Sequence, residues 1–229
     1  MNIEAEIERN GRRIEPILEE LIPRTGVAFL SDPIWYHLDT GGKRIRPALC
    51  LVTCDVLGGD SGQAAYFAAA VELMHNMFLM HDDIADGDEI RRDKPAVWKQ
   101  FGLGNGVNAG DYLLAAALKA VRQSHVDSSI CSMLTELFIA TLLRTIEGQA
   151  LDINQRCDAR FTVEDYLRTT ELKTGHYLVL GMLGGALIAG APEVTIQSLR
   201  KLGENMGPAF QIRDDLIDLT AGKGRGGVI

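Results

Sequence analysis

At 229 residues and 46% hydrophobic content, the chain is long enough for one substantial core and needs no second, so residues 1–229 read as a single domain. A formal net charge of −8 repels nucleic acid and anionic lipid, which argues against a polyanion-binding role and leaves any anionic ligand to local basic clusters. Cys50, Cys54, Cys131 and Cys157 form no CxxC pair and are too sparse for a disulfide framework, which fits a reducing compartment. The chain opens on MNIEAEIERN, with acids from its fourth residue and no apolar h-region, so no signal peptide is expected and the predicted location is cytoplasmic. Ile3, Ile7, Ile14, Leu18 and Leu21 then recur at helical spacing, and the same period returns in almost every later segment without sustained alternation. The pattern predicts an all-α fold, with helices over about 2–22, 44–57, 62–86, 106–124, 128–152, 163–170, 173–190 and 193–220. The predicted joins are LSDP (30–33), TGG (40–42), LGGDSG (57–62), GLGNG (102–106) and AGAPE (189–193). Cys50 and Cys54 share a helix face and are expected to be buried thiols. The apolar run at 178–191 is shorter than the ~20 residues that cross a bilayer, so it reads as a buried core helix whose Gly181, Gly184 and Gly185 suit close packing.

Two acidic clusters interrupt this pattern. HDDIAD places Asp82 and Asp86 four residues apart on one helical face, with Asp83 between them. Gly87 follows as a natural C′ residue, so the acids fall in the last turn, at the negative end of the helix dipole. The same DDxxD spacing returns in Asp214, Asp215 and Asp218 near the end of another apolar helix. Two such clusters suggest opposed carboxylate faces on one cavity, and hard oxygen ligands of this kind suit Mg2+ shared with phosphate oxygens. A divalent cation would offset the repulsion that the helix ends and the acids otherwise suffer.

Cations to receive an anion are present. GGKRIRPAL sets Lys43, Arg44 and Arg46 at a glycine-rich helix entry, and Arg91 and Arg92 follow the first acidic cluster. TTELKTG carries Lys173 and Thr174 in a polar interruption before the apolar run. His75 lies seven residues before Asp82, on nearly the same face. Together these residues predict a cavity for two phosphorylated molecules, one held through Mg2+ and one by basic side chains directly.

GGKRIRP, HDDIADGDEIRR, ELKTG and FQIRDDLID, in this order and spread over nearly the whole chain, resemble the trans-polyprenyl diphosphate synthases, of short-chain type such as geranylgeranyl or farnesyl diphosphate synthase. The resemblance implies an isoprenoid synthase-type helical bundle around a deep central cavity, a homodimer, and Mg2+-dependent condensation of isopentenyl diphosphate with an allylic diphosphate. It assigns Asp82, Asp83 and Asp86, with Asp214, Asp215 and Asp218, to about three Mg2+ ions. It assigns Lys43, Arg46, His75 and Arg92 to isopentenyl diphosphate, and Arg91, Lys173 and Lys223 to the allylic diphosphate. Lys173, Thr174 and Gln211 would present oxygens or charge near the reacting carbons. The resemblance also implies further helices beyond the second acidic cluster, whereas this sequence runs only to LTAGKGRGGVI.

Product length would be set along the helix that presents Asp82, where one turn of about 5.4 Å matches one isoprene unit. Phe78 lies one turn below Asp82 with Met77 beside it and Met74 a turn further, a bulky floor that favours a C20 product, with C15 next. Two other readings compete. A class I terpene cyclase would carry Ser or Thr and then Glu where Asp218 and Gly222 stand, and would not need a second diphosphate site. A non-catalytic subunit of a hetero-oligomeric synthase would be expected to lose acids that this chain keeps.

Overall fold

The computed structural model describes residues 3–155 and 160–221, with only the backbone described for Ile3, Asp214 and residues 218–221. The chain folds as α-helices: α1 (Ile3–Gly11), α2 (Glu15–Leu21), α3 (Ala28–Leu38), α4 (Ile45–Val56), α5 (Ser61–Asp86), α6 (Val97–Phe101), α7 (Leu103–Arg122), α8 (Ser128–Gln155), α9 (Val163–Thr170), α10 (His176–Ile188) and α11 (Glu193–Ala221). Among the described residues the only strands are Ile90–Arg91 and Lys94–Pro95, an antiparallel ribbon after α5.

α5 is the axis of the bundle. It starts at Asp60, whose carboxylate accepts from Gly62 N at 2.8 Å, and it is buried all round from Phe67 to Met74. The small side chains of Ala68, Ala69 and Ala70 let neighbouring helices approach. On one side α10 packs against α4 and α5 through its glycines. A Cβ at Gly185 would lie 2.2 Å from Cys50 O, and one at Gly184 would lie 1.9 Å from the Phe67 ring. The run at 178–191 therefore supplies the predicted core helix. Cys50 and Cys54 are free and buried in the same contact, which pushes both thiols up, Cys54 to about 11; Cys157 lies outside the described residues.

Several joins differ from the sequence reading. The predicted helix 2–22 is two helices hinged by a 3-10 turn at Arg12–Ile14. LSDP is not a join, because α3 runs through it despite Pro33, driven by burial of Ile34, Trp35 and Leu38 and by the bond from Trp35 Nε1 to Ile22 O. In GLGNG only Gly102, at φ 90°, breaks the chain, and Gly104 and Gly106 continue into α7. TGG, LGGDSG and AGAPE are joins as predicted. By length and composition α8 could cross a membrane, yet Thr145, Gln149 and Asp152 on one of its faces look into a cavity.

Candidate active site

The C-terminal half of α5 forms one wall of a cavity of about 620 Å³. His75, Phe78, Leu79, Asp82 and Asp86 recur at helical spacing and face into it. The helix then ends on Gly87 at φ 70°, with Gly87 N bonded to Ile84 O and Asp88 N to Asp83 O, the paired bonds of a Schellman cap. That cap fixes the predicted last turn and its acids.

The three acids of this turn are treated differently. Asp82 and Asp86 line the cavity. Burial pushes the Asp82 carboxyl up to about 6; Lys173 and Arg91 pull it back and Asp86 adds to the rise. Asp83 is rotated away and 1% exposed, and one of its oxygens accepts from both Nε and Nη2 of Arg91 while Oδ2 is buried without a partner in the protein. Burial opposes the Arg91 charge, but Asp83 and Asp88 together hold its pKa above the ordinary value. Asp83 thus orients Arg91, which itself lines the cavity, instead of facing the cavity directly.

The opposite wall comes from α8, α9, the π-helical turn Glu171–Gly175 and α11. Gly148 of α8 lets that turn pack close, since a Cβ there would lie 2.4 Å from Lys173 N. Lys173 Nζ reaches Asp152 Oδ2 at 2.8 Å. Thr174 donates to Gln211 Oε1 at 3.2 Å, Gln211 donates to Asp215 Oδ1 at 2.9 Å, and the Tyr166 hydroxyl donates to Asp215 Oδ2. Both oxygens of Asp215 are therefore engaged by the protein. The side chains of Asp214 and Asp218, and all of Lys223, lie outside the described residues.

At the inner end, Arg46 lies over the Tyr177 ring at 4.6 Å, and its Nε is buried with no partner in the protein. Burial, then Arg46 and Arg92, hold the His75 pKa well below its ordinary value, so the ring there is neutral. Lys43 is exposed on the glycine turn before α4, and Arg92 bonds that turn through Thr40 Oγ1 and Gly41 O. Arg44, grouped with the cations in the sequence, is instead turned into the protein. Phe78 lines the cavity edge-on to Tyr177 at 5.8 Å, whereas Met77 and Met74 are in the apolar core and outside the lining.

The structure thus gathers Arg46, His75, Phe78, Asp82, Asp86, Arg91, Lys173, Thr174, Gln211 and Asp215 around one space. Sequence reasoning missed Gln149, Asp152, Tyr166 and Tyr177, which line the same space. Both polar atoms of Gln149 are buried without a partner in the protein. The available signal was two polar residues three apart on an otherwise apolar helix face. The donor set of Asp82 and Asp86 fits Mg2+: two hard-oxygen ligands one helical turn apart that line one cavity, Asp82 with its carboxyl pushed up by burial, with room for water and phosphate oxygens to complete the shell.

Comparison with known proteins agrees with this geometry. Residues 27–227 match the family model described as polyprenyl synthetase. The chain is 32% identical over 221 residues to a geranylgeranyl diphosphate synthase of Methanosarcina mazei, covering 96% of this chain and 68% of that one. It is 35% identical over 209 residues to a short chain isoprenyl diphosphate synthase of Methanothermobacter thermautotrophicus, covering 91% and 63%. Among solved structures, a geranylgeranyl pyrophosphate synthetase from Pyrococcus horikoshii superposes with a TM-score of 0.91 at 35% identity, covering 95% of this chain and 67% of that one. The chain spans about two thirds of the length of these relatives. Family match, fold and motifs coincide along the chain, which belongs to the polyprenyl synthetase family.

Proposed function

We propose that this chain is a trans-prenyltransferase that condenses isopentenyl diphosphate head-to-tail with an allylic diphosphate. One observation carries the reading: a single cavity has Asp82 and Asp86 facing it from one wall, the Asp82 carboxyl pushed up by burial, and also a guanidinium, Arg46, with a buried, unpartnered Nε. Asp82 and Asp86, with Asp214 and Asp218 of the second cluster, are the proposed Mg2+ ligands. When bound, Mg2+ would supply positive charge to the departing diphosphate. Arg91 and Lys173 would bind that same diphosphate, each aimed by a carboxylate, Asp83 and Asp152 respectively. Arg46, with Lys43, Arg92 and the neutral His75, would hold the isopentenyl diphosphate. As the allylic C–O bond breaks, the isopentenyl double bond attacks the allylic carbon and a proton leaves to the released diphosphate. The Thr174 and Gln211 oxygens would face developing positive charge, while the buried rings of Phe78 and Tyr177 would exclude water from it.

Phe78, one turn below Asp82, is the proposed floor for the tail, with C20 the favoured product and C15 next. Incubating the protein with Mg2+, isopentenyl diphosphate and each allylic diphosphate should yield linear C20 or C15 prenyl diphosphates. A cyclised hydrocarbon from one diphosphate alone would indicate a terpene cyclase, and no product from the full-length protein would favour a non-catalytic subunit. We further infer a homodimer, supported by the exposed apolar stripe Ile139, Leu143, Ile146 and Ile153 on the outer face of α8. Sedimentation of Leu143→Asp as a monomer and of the parent as a dimer would test it. A cytoplasmic location is supported by the free, buried thiols Cys50, Cys54 and Cys131.

A further inference from the structure

Arg44 stands between Lys43 and Arg46, the two residues proposed to hold isopentenyl diphosphate, but its side chain is spent elsewhere. It is 9% exposed. Nη1 donates to Glu72 Oε1 at 2.7 Å, Nε to Glu15 Oε1 at 3.1 Å and Nη2 to Leu38 O at 3.4 Å. Glu72, 3% exposed on α5, also accepts from Asn76 Nδ2 at 3.0 Å, and Asn76 Oδ1 pairs with His37 Nε2 at 3.1 Å. Burial holds the His37 pKa down to about 3, so its ring is neutral and donates to Asn76. The network therefore ties α2, α3 and α5 to the one backbone position that begins α4.

That backbone position is unusual. Arg44 has φ 47° and ψ 37°, a left-handed conformation that non-glycine residues avoid, and it follows Gly41 at φ 83°. On the other side of the same turn Arg92 bonds Thr40 Oγ1 and Gly41 O. A buried ion pair adds little stability over well-packed apolar residues, and in some proteins it is retained because it selects one geometry over its alternatives. Here the geometry it fixes is the turn that carries Lys43 and the first helical turn that carries Arg46.

We propose that Arg44 and Glu72 are positioning residues for the isopentenyl diphosphate subsite: their buried pair holds the 40–44 turn so that Lys43 and Arg46 converge on one diphosphate. The inference rests on the function proposed above, which assigns that ligand to Lys43 and Arg46. Its reach extends to α1, because a Cβ on Gly11 would lie 2.5 Å from Arg44 Cβ. Gly11 has φ −58° and ψ −36°, a backbone that alanine accepts, so Gly11→Ala presses on Arg44 from outside the cavity.

The test is calorimetric titration with isopentenyl diphosphate in Mg2+-free buffer, beside titration with geranyl diphosphate plus Mg2+. Arg44→Met should weaken isopentenyl diphosphate binding roughly ten-fold, the loss expected when one charge-assisted hydrogen bond to the diphosphate is given up. Geranyl diphosphate binding should stay within about two-fold, a split that general loosening of the fold would not give. Glu72→Gln, which keeps an oxygen acceptor for Arg44, should weaken the same ligand less, and Gly11→Ala should shift it in the same direction. Unchanged isopentenyl diphosphate binding in folded Arg44→Met, or equal weakening of both ligands, overturns the proposal. If Arg44→Met does not fold, Gly11→Ala decides alone by the same criteria. If isopentenyl diphosphate binding survives Lys43→Ala and Arg46→Ala in the otherwise unaltered chain, the assignment of the ligand itself has failed, a result distinct from failure of the positioning role.

Discussion

Arg44 and Asp82 are both buried charges, and the fold treats them in opposite ways. Around Arg44 each guanidinium nitrogen has an acceptor, and two carboxylates keep the charge favoured although burial opposes it. Around Asp82 burial prevails, the carboxyl rises to about 6, and a second acid stands one turn away. A scaffold supplies its own counter-charge, whereas a binding site leaves a deficit for the ligand to fill. Direction also divides a single motif, since Asp83 turns to Arg91 while Asp82 and Asp86 face the cavity. In the second cluster Asp215 is likewise engaged on both oxygens, by Tyr166 and Gln211.

The largest expected effect comes from Asp82→Asn, which keeps the shape and removes the charge. Product formation should fall about 10²–10³-fold, the usual cost of losing one electrostatic contact to a transition state. Metal-free stability should rise at the same time. The folded carboxyl keeps its proton up to about 6 while the unfolded one loses it near 3.8, so folding stability drops as pH rises through that window, and above it asparagine escapes the cost. A gain of about 1–2 kcal/mol at pH 8 in urea unfolding would sharpen the contrast. A loss of stability would break it.

The scaffold side has its own pH signature, of opposite sign. The unfolded chain protonates His37 near its ordinary 6.5, and the folded chain not until about 3. Stability is therefore full above 6.5 and declines as pH falls toward 3, by about 1.4 kcal/mol per pH unit for this one group. His37→Gln, which can still donate to Asn76, should make the acid limb of the stability curve shallower by that amount. An unaltered acid limb would mean that His37 is not buried neutral.

Much of this was legible in the sequence. The 3.6-residue period gave the helices, Gly87 gave the end of α5, and the repeated DDxxD spacing with the basic segments pointed to one cavity. Residues whose role depends on which way they turn were not legible. Arg44 and Arg46 look alike in GGKRIRP, and only the left-handed backbone at Arg44 sends one inward to Glu72 and leaves the other to the cavity. Met77 and Phe78 are adjacent, but 100° of rotation puts Met77 in the core. Pro33 read as a break because the burial of Trp35 and Leu38 that overrides it is a tertiary effect. Asp152 passed unnoticed because its partner Lys173 comes from the π-helical turn, far away in sequence, and Gln149 because only the fold buries its amide beside the cavity.

The most direct test is a pair of titrations on the unaltered protein, geranyl diphosphate and isopentenyl diphosphate, each with Mg2+ and with chelator. Geranyl diphosphate should bind only with the metal, because its place is among acids; isopentenyl diphosphate should bind with or without it, because its place is among cations. Geranyl diphosphate binding that survives chelation, or isopentenyl diphosphate binding that is lost with it, would contradict the account.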